Sequence, residues 1–330
     1  MLPTNNAFAG RKWASLVVLL ATLTFSFTAC KKADTTTPTL STIGELINTG
    51  SKFTLLKAAL VRAGLDGTFS QPGTYTVFAP TDDAFKAFGY VDAAAINAAP
   101  VDLLKTVLQY HVLSTRVSAS DIPAGINTAQ QTVAGLPLYV SKATSTSTTS
   151  STVSINGAHI LQADGFASNG VVHAIDRVLL PPVFGNIVAT IQGIPLLLPT
   201  ASFKLLQAAV TKAGIGASLT AVGPLTVFAP TDAAFKAVGI DSAAIAKTPV
   251  ATLTSILSYH VLNSRTYTPL ITNGASLSTL QGGTITAGIS TTALTVTGKG
   301  NGGTPSNIVG PDITATNGVV HIIDRLLLPQ

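Results

Sequence analysis

Apolar positions along this chain follow two regimes in succession, and the succession occurs twice. From Phe53 to Ala63 the apolar residues Phe53, Leu56, Ala59, Leu60 and Ala63 recur at helical spacing. Thr74 to Phe78 reads as a short strand closed by Pro80. Thr81 then suits a helix N-cap, with Asp82 and Asp83 in the first turn, where their charge complements the helix dipole. Phe85 and Phe88 anchor that helix to the core, and Val101 to Leu108 predicts another helix running into Tyr110-His111. From about Gly135 the pattern changes, and Leu136–Val140, Val153–Ile155 and Val171–Leu180 read as strands. Helices first and strands last predict an α+β fold rather than alternating βαβ units. Ser141–Thr152, almost wholly Ser and Thr, predicts an exposed hairpin tip, and the Gly-rich Gly298–Asn307 is expected at the same place in the second copy.

The repetition is close. Thr76–Lys86 reappears as Thr226–Lys236, with Thr231 and Asp232 in the places of Thr81 and Asp82, and Tyr110-His111 reappears as Tyr259-His260. Asn169-Gly170-Val171-Val172-His173-Ala174-Ile175-Asp176-Arg177 returns as Asn317-Gly318-Val319-Val320-His321-Ile322-Ile323-Asp324-Arg325. Phe53 aligns with Phe203 and Asn169 with Asn317, so the offset drifts only from 150 to 148 residues. That is two whole domains, not a solenoid. The expected boundaries are 41–182 and 183–330, joined at the stiff Pro181-Pro182. In the last motif Asn-Gly supplies a turn, since both residues tolerate φ > 0. The strand after it places Val171, His173, Ile175 and Arg177 on one face and Val172, Ala174, Asp176 and Val178 on the other.

The start of the chain has a different character. Arg11-Lys12 precedes an uncharged, mostly apolar run from Trp13 to Ala29, the layout of a signal peptide over 1–29, with an anchor helix of similar length as the alternative. Phe27-Thr28-Ala29-Cys30 resembles a bacterial lipobox, with Phe27 where Leu, Val or Ile is usual, which favours cleavage and diacylation of Cys30. Residues 30–40 then read as a lipidated tether, and two acyl chains give stable anchoring. Cys30 is the only cysteine, so no intrachain disulfide forms.

With 46% apolar and 10% charged residues in 330, a packed core is expected for most of the length. The leader holds two of the 19 basic residues and no acid, so its removal lowers the formal charge of +5 by two. The remaining Lys and Arg are scattered, without the basic stripe and stacking aromatics of a nucleic-acid surface, and that partner class is set aside.

The motifs Thr76–Phe85 and Thr226–Phe235, the two Tyr-His pairs, and Asn169–Leu179 with Asn317–Leu327 resemble those of the fasciclin (FAS1) domain family. The resemblance covers roughly residues 41–330. It implies two tandem domains, each a wedge-like β-sandwich decorated by N-terminal helices, with a role in adhesion or matrix binding. It also implies candidate partner contacts at Tyr110, His111, Tyr259 and His260, and at Pro311, Asp312 and Ile313, of which the first domain keeps only Asp164. Read from the residues alone, the Tyr of each pair anchors a helix end and the His caps it or bonds a nearby loop.

Catalysis is not expected. His173 with Asp176, and His321 with Asp324, suggest a base and its orienter, but residues three apart on a strand point to opposite faces. There is no G-x-S-x-G elbow. These four residues read as structural groups bonded to buried backbone, and Thr81, Asp82, Thr231 and Asp232 as structural motif residues at a helix start. No H-x-x-x-H or C-x-x-C occurs, so neither metal nor cofactor is expected. The sequence thus predicts an exported, lipid-anchored module of the outer membrane or cell surface, binding surface or matrix glycans or proteins. Capture of a glycan or small ligand between the domains is the alternative, ahead of a hydrolase built on the motif His and Asp groups.

Overall fold

The computed structural model describes residues 40–144, 151–198, 200–290 and 293–330. The expected signal segment, Cys30 and the tether to Thr39 lie outside the described residues, as does the middle of the Ser/Thr-rich tip. Residues 40–330 form one compact unit.

In the first domain, α1 (Ile43–Thr49) and α2 (Thr54–Arg62) lead into β1 (Tyr75–Pro80). Next come α3 (Asp82–Ala87), α4 (Ala93–Ala98) and α5 (Val101–Tyr110). The strands β2 (Val112–Leu113), β3 (Gly125–Gln131), β4 (Pro137–Thr144), β5 (Ser151–Ile155), β6 (Ala158–Ala167) and β7 (Gly170–Ile175) follow. The second domain repeats the order with α6 (Ile187–Leu197), α7 (Lys204–Ala213), α8 (Gly216–Thr220), β8 (Leu225–Pro230), α9 (Asp232–Lys236), α10 (Ser242–Lys247) and α11 (Val250–Tyr259). Its remaining strands are β9 (Val261–Leu262), β10 (Ser276–Ser278), β11 (Thr284–Ile289), β12 (Leu294–Gly298), β13 (Ser306–Ala315) and β14 (Gly318–Ile323).

Each domain has a seven-stranded sheet, ordered β2-β1-β7-β6-β5-β4-β3 in the first and, read from the opposite edge, β10-β11-β12-β13-β14-β8-β9 in the second. Among the described residues only β1–β7 and β8–β14 pair in parallel. The long β6 and β13 carry two register shifts each, and such bulges bend a strand, which lets the sheet turn over on itself. One face of β1 and β7 packs under the helices through Val77, Ala79 and Val172, against Leu56, Ala59, Phe85 and Leu104. The other face closes against the folded-over strands through Phe78 and Ile175, with Leu138, Val140 and Ile155. A strand covered on both sides should be apolar throughout, and every residue of β7 and of β14 is buried. The expected α+β sandwich is therefore what forms.

The helix starts are set across elements. Thr81 caps α3, its hydroxyl accepting from the Ala84 amide at 3.3 Å. Asp82 does more than complement a dipole. Phe53, at the start of α2, has no capping side chain, and the Asp82 carboxylate supplies the missing acceptor to the Leu55 amide and Thr54 hydroxyl at 2.8 and 2.7 Å. Asp232 does the same for the Leu205 amide and the Ser202 hydroxyl.

Three expectations are corrected. The motif strand ends at Ile175 rather than Leu180, and the Asp176 carboxylate there takes over as acceptor for the His159 amide. Ser141 is buried, not part of an exposed tip, and its hydroxyl accepts from the Asn127 amide. Gly298–Asn307 is not the counterpart of the β4–β5 tip. Tyr110 bonds the Pro137 carbonyl at the start of β4 and Tyr259 bonds the Thr284 carbonyl at the start of β11, so β11 matches β4. The segment therefore enlarges the Asn156-Gly157 turn between β5 and β6.

The motif Asn-Gly works by close approach as well as by turning. A Cβ on Gly170 would lie 2.1 Å from the Tyr75 carbonyl oxygen, and one on Gly318 would lie 2.1 Å from that of Leu225. Asn169 accepts from the Ile43 amide and donates to the carbonyls of Phe69 and Gln71, clipping the start of α1 and the entry to β1 onto the turn. Asn317 repeats this with Ile187, Leu219 and Ala221. Gly170→Ala is expected to destabilise the first domain by about 1–3 kcal/mol, because backbone cannot yield as a side chain does. Urea denaturation measures it, and an unchanged midpoint refutes the close-packing account.

Candidate functional site

The motif histidines are the buried polar residues of the central strands. His173 sits with its Nδ1 accepting from the Asp164 amide at 3.2 Å and its Nε2 2.9 Å from the Val117 carbonyl. His321 has the same pair of partners, the Asp312 amide at 3.1 Å and the Thr266 carbonyl at 2.9 Å. Because Nδ1 accepts, each ring is neutral with its proton on Nε2. Each also lies against an aromatic ring of the neighbouring strand, Phe78 at 5.7 Å and Phe228 at 5.4 Å between centroids. Burial holds His321 below the ordinary histidine range, against the pull of the Asp312 carboxylate. Asp176 and Asp324 do not touch these rings. They accept the amides of His159 and Asn307 at 2.8 and 2.7 Å.

The Tyr-His pairs, expected as partner contacts, are buried and thus out of a partner's reach. Tyr110 and Tyr259 are 0% and 1% exposed, and His111 and His260 are 2% exposed. His111 ends α5 with the opposite tautomer, its Nδ1–H donating to the Val107 carbonyl at 2.7 Å and its Nε2 accepting the Leu179 amide at 2.8 Å. His260 does likewise with Ile256 and Leu327. Each ring joins a helix end to the segment that leaves the central strand. Burial lowers both to about 4, outweighing the backbone bond that favours the charged form. Burial raises Tyr110, whose hydroxyl donates to the Pro137 carbonyl and accepts from Asn156.

The Pro311-Asp312-Ile313 segment is also not free. Pro311 is half-buried, Ile313 is buried, and the Asp312 side chain is fully enclosed at the junction of the two domains. Its Oδ1 accepts the Thr268 amide at 2.7 Å, and its Oδ2 accepts the Thr268 hydroxyl and pairs with Arg177 of the first domain. Beside it the Tyr267 hydroxyl lies 3.3 Å from Asn156 Oδ1 and 3.2 Å from the Thr314 hydroxyl, and burial pushes it up to about 12. The Arg265 guanidinium stacks on the Tyr139 ring at 4.0 Å and donates to the carbonyls of Ala315, Gly318 and Thr316. Asn127 donates to the Arg265 carbonyl at 2.6 Å. Asp164, the first-domain counterpart of Asp312, is half-buried and accepts the Ala119 amide at 2.8 Å.

Sequence reasoning missed Arg177, Arg265, Tyr139, Asn127 and Asn156 as junction residues. Arg116 and Arg265 stand at matching places after the two Tyr-His pairs, so the repeat carried a signal for that pair of residues. Nothing local marked Tyr139 or Asn127, whose junction contacts are made with Arg265 of the other domain. Beside the junction runs an open groove of about 1020 Å³, lined by Ile126, Asn127 and Tyr139 of the first domain and by Val222, Asn263 and Arg265 of the second. The described residues leave no buried side-chain polar atom without a hydrogen-bond partner.

A family model of the fasciclin domain matches residues 51–181 and 201–329. Transforming growth factor-beta-induced protein ig-h3 of Sus scrofa is 30% identical over 291 residues, 88% of this chain and 39% of that protein. The chain thus spans about two-fifths of the length of that relative. Cell surface glycolipoprotein MPB83 of Mycobacterium bovis is 35% identical over 112 residues, 33% of this chain and 45% of that protein. The solved FAS1 domain pair of the insect cell adhesion molecule fasciclin I is 21% identical, covering 83% of this chain and 95% of that one with a TM-score of 0.39.

His173→Ala removes the acceptor of the Asp164 amide and the donor to Val117, and opens a cavity beside Phe78. It is expected to lower stability by roughly 2–4 kcal/mol, read as a fall in melting temperature. The pH dependence has a definite sign. An unfolded histidine titrates near 6.5, and His111 and His260 resist protonation until about pH 4. Between those values the unfolded chain binds protons that the folded chain refuses. Stability present above pH 6.5 is therefore lost as pH falls toward 4, by roughly 3 kcal/mol per histidine. Urea midpoints measured across this window test it, and His111→Gln is expected to flatten the slope.

Proposed function

The chain belongs to the fasciclin-domain family, and from that premise we propose that it is a non-catalytic, extracytoplasmic adhesion or matrix-binding module, held at a membrane through a lipidated Cys30. The observation that carries the non-catalytic reading is the condition of the motif histidines. Four rings in two domains each have one nitrogen accepting a backbone amide and the other facing a backbone carbonyl, so no free base remains in them. A general base must reach a substrate proton, and these reach only main chain. Among the described residues no helix is long and apolar enough to cross a membrane. Anchoring is assigned to the expected lipid on Cys30 from the lipobox-like Phe27-Thr28-Ala29-Cys30, a reading supported by the cell-surface glycolipoprotein among the relatives.

Ligand capture is the second reading, favoured by the open groove at the junction. The closed apolar hollow beneath Phe85, Phe88 and Val107 has room for about 30 Å³, too little for a small-molecule ligand. A broad open surface suits macromolecular contact better than retention of a small molecule.

The test is a glycan and matrix-protein array probed with the chain from Lys31 onward, alongside adhesion of cells lacking the gene. Saturable binding to a macromolecular target and reduced adhesion are expected, and Cys30→Ser is expected to release the protein from membranes. An empty array together with normal adhesion overturns the adhesive reading. Binding confined to free small ligands transfers the assignment to capture.

A further inference from the structure

The surface that seats one domain on the other exists twice, and among the described residues only one copy is covered. In the second domain it is built on Asp312, in left-handed backbone at φ 63°, whose amide binds His321 and whose Oδ1 accepts the Thr268 amide. Arg265 braces it by donating to the carbonyls of Ala315 and Gly318. The first domain carries the same frame. Asp164 stands at φ 59°, its amide binds His173, and its Oδ1 accepts the Ala119 amide. Arg116 donates to the carbonyls of Ala167 and Gly170, both at 2.8 Å.

The two copies differ in what covers them. Arg265 is 8% exposed beneath Tyr139, and Asp312 Oδ2 is taken by Arg177 and Thr268. Arg116 is exposed, Phe166 beside it is 50% exposed, and Asp164 Oδ2 has no partner among the described residues. The complementary end is also duplicated. Arg325 is the second-domain counterpart of Arg177, and its guanidinium has no partner among the described residues, since only its backbone is bonded.

Sizes are exchanged in a compensating way. Within the chain a bulky acceptor pair, Tyr267-Thr268, meets a minimal turn, Asn156-Gly157, where a Cβ on Gly157 would lie 2.2 Å from Asp312 Cγ. On the free copy the acceptor pair is small, Ser118-Ala119, and the turn on the free end is the enlarged Gly298–Asn307.

We infer that the first-domain face bearing Arg116, Asp164 and Phe166 binds the Arg325 end of a second copy of this chain, repeating between molecules the Arg177–Asp312 contact made within one. The contact joins unlike surfaces, so each addition leaves one face and one end open and growth is head to tail. The inference does not rest on the adhesive reading, since self-association is compatible with either function.

Sedimentation velocity of the chain from Lys31 onward, over roughly a hundredfold range of concentration, tests it. The weight-average mass is expected to rise with concentration and fall with added salt. Asp164→Asn keeps an oxygen for the Ala119 amide and tolerates the left-handed backbone while losing the charge. This variant and Arg325→Glu are each expected to weaken association about tenfold or more, whereas Arg325→Lys retains most of it. Melting temperatures within a degree or so of the parent would show that these variants fold. A chain that stays monomeric at every concentration, or association that neither variant weakens, overturns the inference. Array binding by a strictly monomeric chain would leave the adhesive reading standing and remove this one alone.

Discussion

The parallel pairing of β1 with β7, and of β8 with β14, is the contact around which each domain is arranged. It brings the start of one strand so close to the carbonyl of Tyr75 or Leu225 that only glycine fits. A strand held between helices on one side and the folded-over sheet on the other has no access to water, so each polar group along it needs a protein partner. Asn169 ties the helical layer to the turn, His173 ties the bent β6 and the loop at Val117 to the strand, and Asp176 holds the strand's exit against β6. His111 bonds the exit segment back to α5. The polar letters of the motif are thus fasteners between layers, and their recurrence in both domains follows from the recurrence of the same fold.

The same logic extends to the junction. A buried carboxylate is costly unless it is paired and hydrogen-bonded, and Asp312 is both, through Thr268 and Arg177. The arginine stands two residues past the motif strand of one domain and the aspartate on the bulged strand of the other, so one motif serves folding within a domain and registry between domains. The Arg265–Tyr139 stack adds a cation–π contact in which the guanidinium is buried and the ring half-buried. A family feature expected to face a partner outside the chain is therefore spent on a partner inside it.

Much of this was legible in the chain itself. Helical spacing from Phe53, the Thr81-Asp82 cap, the apolar run after Asn169 and the near-constant offset between copies determine two α+β domains and their central strands. Those signals are local, and a buried strand or a helix cap needs no knowledge of what lies far away. The edge strand β3 and the long β6 were not legible. The alternating polarity of β3 is weak, and β6 is broken by bulges, so neither shows a clean period.

Roles that depend on distant neighbours were decided only by tertiary structure. Family resemblance marks Tyr110-His111 and Pro311-Asp312-Ile313 as candidate contacts, and local sequence does not say whether they are exposed. Folding buries them because backbone groups from Val107, Leu179 and Thr268, together with the Arg177 side chain, converge there to satisfy them. Sequence by itself determined what each domain is and that there are two. Which Asp is enclosed and which is open was decided by docking one domain on the other, since burial is a property of the assembled surfaces and not of the residues.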